Sequence, residues 1–353
     1  VKRAEDIIPW KVTDISLRPF DGMWSFNPCI HYDGHLWRCV LRCSDYALPN
    51  GKQIRSDRAK VGESQTKNAM VIFNPKSWRA TEIYKMREQD DLSRIPASSI
   101  GYEDVRIFRT DRYGLQGIAA SLHLKRSERK QRSVEQVLLW LNDQYDIVEA
   151  RPIRGAWSSG PQKNWAPFDH CVEPRFLYSI DKGALFGDHG ELRDGKVVPS
   201  SRVHATYSPD DRESRRAEER ADDAEDERED REEPRRKRDR KIKDLDVQIS
   251  GREELRGGSQ LVRVNIDAWL GIGHAMKIVD KRKYYWHVWY LVDSRGKRKA
   301  ASPPMKLAPN GIEFAAGLAV HGDRVVVSFG VDDMESRLGE TKLPAVLGML
   351  RPI

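Results

Sequence analysis

Apolar and polar residues alternate along this chain in short runs, and each run is bounded by Gly, Pro, Asn or Asp. Between 26 and 43 two such runs flank Asp33-Gly34, a pair of turn residues that predicts a β-hairpin. Residues 70–73 form another short strand. From 104 the pattern gives a strand, a turn over 111–114 and a second strand over 118–124, then strands at 137–141, 147–151 and 175–180. Residues 260–273 and 284–292 read as one antiparallel pair; 312–320 and 324–329, joined through His321-Gly322-Asp323, read as another.

Helical periodicity is scarce outside one charged segment, so the expected class is all-β. The strands group into five episodes of about 40 to 60 residues, the size of a propeller blade. The expected architecture is a five-bladed β-propeller, a single domain over residues 1–353. A β-sandwich or a pair of β-domains satisfies the same alternation.

The exception runs from 210 to 244, where 16 acidic and 13 basic residues crowd together. Residues 215–233 are almost entirely Arg, Glu, Asp and Ala, with opposite charges three and four apart; Pro234 separates them from Arg235-Arg236-Lys237-Arg238. Such a segment cannot build a core, and it reads as a helical or disordered insertion within the propeller. Without it, 48 basic residues face 38 acidic ones, so the body carries about +10 where the whole chain carries +7. That excess suits an anionic partner such as phosphate, a sugar nucleotide or nucleic acid.

No run of about 18 apolar residues is present, so no membrane span is expected, and the first residues lack the apolar core of a signal peptide. A cytoplasmic protein is the expectation. Cys29, Cys39, Cys43 and Cys171 show no metal-ligand spacing with histidines and read as buried, reduced thiols.

Candidate chemistry begins at 101–109, Gly-Tyr-Glu-Asp-Val-Arg-Ile-Phe-Arg, where Glu103, Asp104 and Arg106 sit at the entrance of a strand. A carboxylate at such a lip is a candidate general acid or base; an ion pair of Asp104 or Glu103 with Arg106 is the structural alternative. Arg256 before Gly257-Gly258 predicts an anion site, because paired glycines let backbone amides approach a ligand. Trp165 beside Asn164 predicts either an aromatic wall for a sugar ring or a core tryptophan. His274 and His287 lie in aromatic-rich strands, as ligand contacts or core histidines. Glu313 and Asp332-Asp333 bound the last episode, one to bind sugar hydroxyls and another to cap a turn. With no Asp-x-Asp signature outside the end of the charged segment and no Gly-rich phosphate loop, neither a metal nor a cofactor is expected.

Several of these motifs occur in a telling order. Asn27-Pro28 and an alternating run ending at Arg42 come first, then the Glu103-Asp104 motif, then Lys163-Asn164-Trp165-Ala166-Pro167-Phe168. Arg256-Gly257-Gly258-Ser259 follows, with His274 and the run 287–293, then Glu313-Phe314 and the run 328–333. The series resembles the five-bladed propellers of the mannoside phosphorylases and the related glycosyltransferases, including β-1,2-mannosyltransferases, from Asn27 to Asp333. The resemblance implies that Asp104 is the single catalytic carboxylate, donating a proton in phosphorolysis or taking the acceptor's proton in synthesis. It implies that Arg42, Arg256 and His274 face the central pocket and meet phosphate or sugar hydroxyls. Asn27 stands where related hydrolases carry an aspartate, which argues against a two-carboxylate hydrolase. Val105 and the charged insertion depart from the family pattern.

The expected function is an inverting glycosyltransferase that moves a sugar from a sugar nucleotide or sugar phosphate to an acceptor hydroxyl. The basic body suggests a macromolecular acceptor: a glycan, a protein or a modified nucleic acid. The alternatives are a glycoside phosphorylase of the mannoside phosphorylase type, a noncatalytic glycan-binding or assembly propeller, and, third, a hydrolase with a second carboxylate facing Asp104.

Overall fold

Asp33-Gly34 does turn the chain. Gly34 has φ +99°, and the Asp33 carboxylate accepts the amides of His35 and Leu36 at 3.0 and 2.9 Å, so the hairpin is closed by its own turn residues. The structure, a computed structural model, describes residues 1–49, 52–56, 65–88, 101–124, 132–153, 164–180, 184–186, 190–193, 196–199, 255–279, 282–309 and 311–353. The charged insertion at 210–244 and Lys163 lie outside the described residues.

Among the described residues five larger sheets, antiparallel apart from a two-residue parallel pairing of Lys2–Arg3 with Met305–Lys306 in the fourth, follow one another along the chain, beside two small two-stranded ones. The first contains Trp24–Tyr32, Trp37–Ser44, Thr66–Phe73 and Ala80–Lys85 in sequential order. The second contains Tyr102–Thr110, Gly114–Leu124, Arg132–Leu141 and Ile147–Pro152. Ala166–Pro167, Phe176–Ser179 and Ala184–Phe186 make the third. In the fourth, Arg256–Gly257 and Val262–Asn265 both pair with Ala268–Val279, which pairs with Arg282–Val292. The fifth runs Glu313–His321, Arg324–Val331, Glu335–Lys342, and its outer strand is Lys11–Asp14 from early in the chain.

The cores show how these sheets are arranged. Cys29, Val40 and Met70 of the first sheet pack with Val105, Ile107 and Val137 of the second, and Phe108 and Leu138 of the second pack with Trp165 and Phe176 of the third. Phe168 and Leu177 of the third meet Trp269, Trp286 and Tyr290 of the fourth. Ile272 and Trp289 of the fourth meet Leu318, Val327 and Phe329 of the fifth. Ile30, Leu41 and Val71 of the first then pack with Ala319, Val326 and Leu338 of the fifth. Each sheet shares one core with the next and the fifth shares one with the first, so the sheets close into a five-bladed propeller. Strand Trp24–Tyr32 is buried at every interior position, whereas Ala80–Lys85 is largely exposed. Alternation fails on inner strands because both of their faces are covered.

At the axis the buried amide of Gln260 ties the blades together. Its Nε2 donates to the carbonyls of Ile30 and Leu318 at 2.6 and 2.7 Å, and its Oε1 accepts the Leu318 amide at 3.1 Å. The four cysteines are buried and unbridged. No helix among the described residues is long and apolar enough to cross a membrane.

One expectation about elements requires correction, and one element had no signal. Residues 260–273 are not one strand: the chain reverses after Asn265, whose side chain accepts the Ile266 amide at 2.7 Å, and Val262–Asn265 folds back on Ala268–Val279. The helix Leu343–Met349 follows the last strand, with a proline in its first turn where no amide donor is needed; its short apolar sequence gave no periodic signal.

Blade closure leaves no room at Gly317, where an added Cβ would meet the Ile30 nitrogen at 2.3 Å and the Cys29 Cα at 2.7 Å. At Gly348, in the helix, a Cβ meets nothing within 4 Å. Gly317→Ala is therefore expected to destabilise the fold by about 1–3 kcal/mol or more, and Gly348→Ala to stabilise it by about 0.5–1 kcal/mol. Chemical denaturation midpoints for the two variants should move in opposite directions.

Candidate functional site

The innermost strands are not regular. In the first blade Asn27 and Pro28 stand opposite one residue of the neighbouring strand, and in the second blade Asp104 and Val105 do the same. Asn27 and Asp104 take φ +46° and +50°, and Asn164, immediately before the inner region of the third blade, takes +64°. Asn and Asp tolerate this left-handed conformation better than other side-chain-bearing residues. A bulge at such a position turns the side chain away from the pleat. Three neighbouring blades thus present a short polar side chain at corresponding places on one mouth of the propeller.

These side chains meet around Arg42, on the second strand of the first blade. The Arg42 guanidinium donates to Asp104 Oδ1 at 3.0 Å, to Glu103 Oε1 at 2.7 Å and to the Tyr46 hydroxyl at 2.8 Å, and it lies over the Phe26 ring at 5.0 Å. Asn27 Nδ2 donates to the same Asp104 oxygen at 2.9 Å. Both bonds fall on Oδ1, and Oδ2 has no donor among the described residues. Burial alone would raise the Asp104 pKa, but Arg42, Arg106 and the Asn27 amide hold it below the ordinary aspartate range. Asp104 is therefore a carboxylate at neutral pH.

Arg106 lies two residues further along the same strand and is 1% exposed. It does not pair with Glu103 or Asp104, as the sequence suggested; the bulge at Asp104-Val105 separates them, and Arg42 takes both carboxylates. Arg106 instead bonds the Gly258 carbonyl through Nε and Asn164 Oδ1 at 2.9 Å, with the Phe314 ring 5.7 Å away. Its Nη1 has no acceptor among the described residues. A buried guanidinium held by neutral groups keeps its charge available to an anion.

Arg256 and His274 are cross-strand partners beside it, and His274 stacks edge-on to Phe314 at 5.0 Å. Burial, then His287, Arg256 and Arg106, push the His274 pKa well below the usual imidazole range. His274 is thus a neutral hydrogen-bonding group. An added Cβ at Gly257 would meet the Asn164 carbonyl at 2.2 Å, and one at Gly258 the Ile272 and Ala315 carbonyls at 2.6 and 2.7 Å. The paired glycines serve close approach of blade backbones as well as any ligand.

Asp333 completes the mouth from the fifth blade, at φ +47°. Burial first, then the nearby Asp104, Glu103 and Asp332 against the counteracting Arg42, raise its pKa to about 6. Its neighbour Asp332 accepts the Ile312 amide at 2.8 Å and caps the turn. Two carboxylates close to one arginine therefore have opposite tendencies, Asp104 to ionise and Asp333 to keep its proton.

Three expected ligand contacts are placed elsewhere. Trp165 is 0% exposed and packs with Phe108 and Phe176, so it is a core residue and not a sugar platform. His287 and Glu313, both fully buried, form a strut: His287 Nε2 accepts the Ala315 amide at 3.2 Å while Nδ1 lies 3.6 Å from Glu313, which also holds Lys306 at 3.2 Å. Glu313 and Phe314 alternate along one strand, and it is Phe314 that reaches the mouth. Tyr46 and Phe314 are the site residues the sequence did not single out; the strand period offered a signal only for Phe314.

No family model matches the sequence, and no curated protein matches it significantly. Solved structures do match. One, of the GH130 family of mannoside phosphorylases containing glycoside hydrolases that target β-1,2 mannosidic linkages in Candida mannan, has a TM-score of 0.55 at 10% identity. It covers 90% of this chain and 84% of its own. The β-1,2-mannobiose phosphorylase of Listeria innocua in complex with β-1,2-mannobiose matches with a TM-score of 0.52 at 11% identity over 96% of each chain. A glycosyl hydrolase from Bacteroides ovatus matches at 0.52 and 10% over 94% of this chain and 86% of that one. At such identities the likeness is one of fold, and it is the fold of the mannoside phosphorylases that this chain shares.

Proposed function

We propose that this protein is an inverting glycoside phosphorylase acting on a β-mannoside, with Asp104 transferring the proton. The observation that carries the reading is the buried Arg106, paired with no carboxylate among the described residues, on the same strand as the ionised Asp104. Phosphorolysis needs a cationic seat for phosphate and one group that exchanges a proton with the glycosidic oxygen. Arg106 and Arg256 supply the seat, and the neutral His274 offers a hydrogen bond to phosphate or a sugar hydroxyl. Phosphate attacks the anomeric carbon from the face opposite the leaving oxygen, and Asp104 delivers the proton that oxygen requires. In the reverse direction Asp104 takes the acceptor's proton, for which its ionised state in the free protein is suited. A bound phosphate dianion offsets Arg106 and raises Asp104 toward the protonated form that phosphorolysis needs.

The fold likeness includes a β-1,2-mannobiose phosphorylase, which favours phosphate over the sugar nucleotide of the first sequence reading. A macromolecular acceptor rested on charge alone, and the charged insertion lies outside the described residues. Asp333 favours a second reading: a carboxyl raised to about 6 beside one held in the ionised form is also the equipment of an inverting hydrolase. The products separate the two.

With β-1,2-mannobiose and inorganic phosphate, the chain should release mannose 1-phosphate; free mannose formed equally well without phosphate would indicate hydrolysis. Asp104→Asn should lower turnover by about 10²- to 10⁴-fold while leaving the phosphate-induced thermal shift in place. A noncatalytic module would bind the glycan and show no turnover in either form.

Asp333 binds its proton more tightly in the fold than in the unfolded chain, so its ionised form costs stability as pH rises from the ordinary aspartate range through about 6. Asp333→Asn removes that cost. The variant's melting temperature should exceed the parent's above pH 6, and the difference should shrink toward pH 4.

A further inference from the structure

The other end of the inner strands carries a cluster that this chemistry does not use. His31 lies four residues beyond Asn27, and Asp169-His170 five and six beyond Asn164, roughly 13–20 Å along the strand direction from the mouth at about 3.3 Å per residue. His31 Nε2 is 3.0 Å from Asp169 Oδ1, and His170 Nε2 is 3.7 Å from Asp169 Oδ2. One donor atom from each residue falls within 4.8 Å of the other two. The His31 and Asp169 side chains are 1% and 3% exposed, while His170 is 43% exposed. Asp169 and His170 line a cavity of about 240 Å³ shared with Tyr32, Asp33 and Arg263.

We propose that His31, Asp169 and His170 bind a zinc ion, with the fourth position open to that cavity. Two imidazoles and a carboxylate form a ligand set suited to this cation. Tetrahedral bonds of about 2.0–2.2 Å place neighbouring ligand atoms roughly 3.3 Å apart, which lies between the two separations observed. The Arg109 amide donates to Asp169 Oδ1 at 2.7 Å and fixes the carboxylate from outside the cluster. Buried His31 Nδ1 has no hydrogen-bond partner among the described residues.

The cavity's other charged groups are already engaged. Arg263 donates to the carbonyls of Asn265 and Ile266 at 3.2 and 2.9 Å, and Asp33 is held by Arg38 and by its own turn amides. Neither competes for the cluster. A bound ion ties the inner strand of the first blade to the end of the third blade's inner region, at the end of the propeller away from Asp104.

Equilibrium dialysis of the untagged full chain against Zn²⁺, after chelator treatment, tests the assignment. Wild type should retain one ion, and His170→Ala, which removes an exposed ring, should bind at least tenfold more weakly. Asp169→Asn, which keeps an acceptor for the Arg109 amide, should bind as weakly, whereas His35→Ala, an exposed histidine of the adjoining turn, should bind as wild type does. Circular dichroism checks that each variant is folded, and the Zn²⁺-induced rise in melting temperature should disappear with His170→Ala. Failure of wild type to retain an ion, or equal retention by His170→Ala, would overturn the proposal. Phosphorolysis is read separately, so neither result depends on the function assigned to Asp104.

Discussion

A guanidinium taken out of water has to be matched by acceptors, and Arg42 is the place where that demand organises this protein. Its side chain is 5% exposed; its two terminal nitrogens donate to Asp104, Glu103 and the Tyr46 hydroxyl, and Nε has no acceptor among the described residues. Removing one buried partner leaves an uncompensated charge, which is far more costly than the net gain from making the pair. The arginine belongs to the first blade and the carboxylates to the second, so blade docking and site assembly are one event. The same contact fixes which Asp104 oxygen is used up and which is left.

The mouth needs polar side chains on strands that are otherwise packed on both faces. Regular pleating would send alternate residues into the interblade cores. The bulges at Asn27-Pro28 and Asp104-Val105 resolve this conflict by adding one residue opposite a single partner. The positive φ values at Asn27, Asp104, Asn164 and Asp333 are the conformational cost of the arrangement. They stand at one mouth, on four different blades.

Closeness to charge, more than exposure, separates the carboxylates there. Asp104 has two donors on one oxygen, while Asp333 faces Arg42 only as part of an acidic group and is raised to about 6. Residues of similar type can therefore differ in protonation within one pocket. His274 is lowered first by its burial and then, with opposite charge to the carboxylates, by His287, Arg256 and Arg106, so it remains neutral.

Alternation and turn chemistry alone determined the all-β class, the strands flanking Asp33-Gly34, the five-episode count and the standing of residues 101–109 as a strand entrance. These are local properties, written in neighbouring side chains. Tertiary structure decided which partner Asp104 takes, because Arg42 is 62 residues away in sequence and a bulge lies between Asp104 and the nearer Arg106. It also decided that Trp165 and Glu313 are interior, since a strand pattern shows that neighbours alternate but not which face meets a neighbouring blade. The His31–Asp169 pairing spans 138 residues and has no ligand spacing to detect. Only closure of the ring brings such residues together, because contacts between blades are fixed by packing across sheets and leave no periodic trace in the chain.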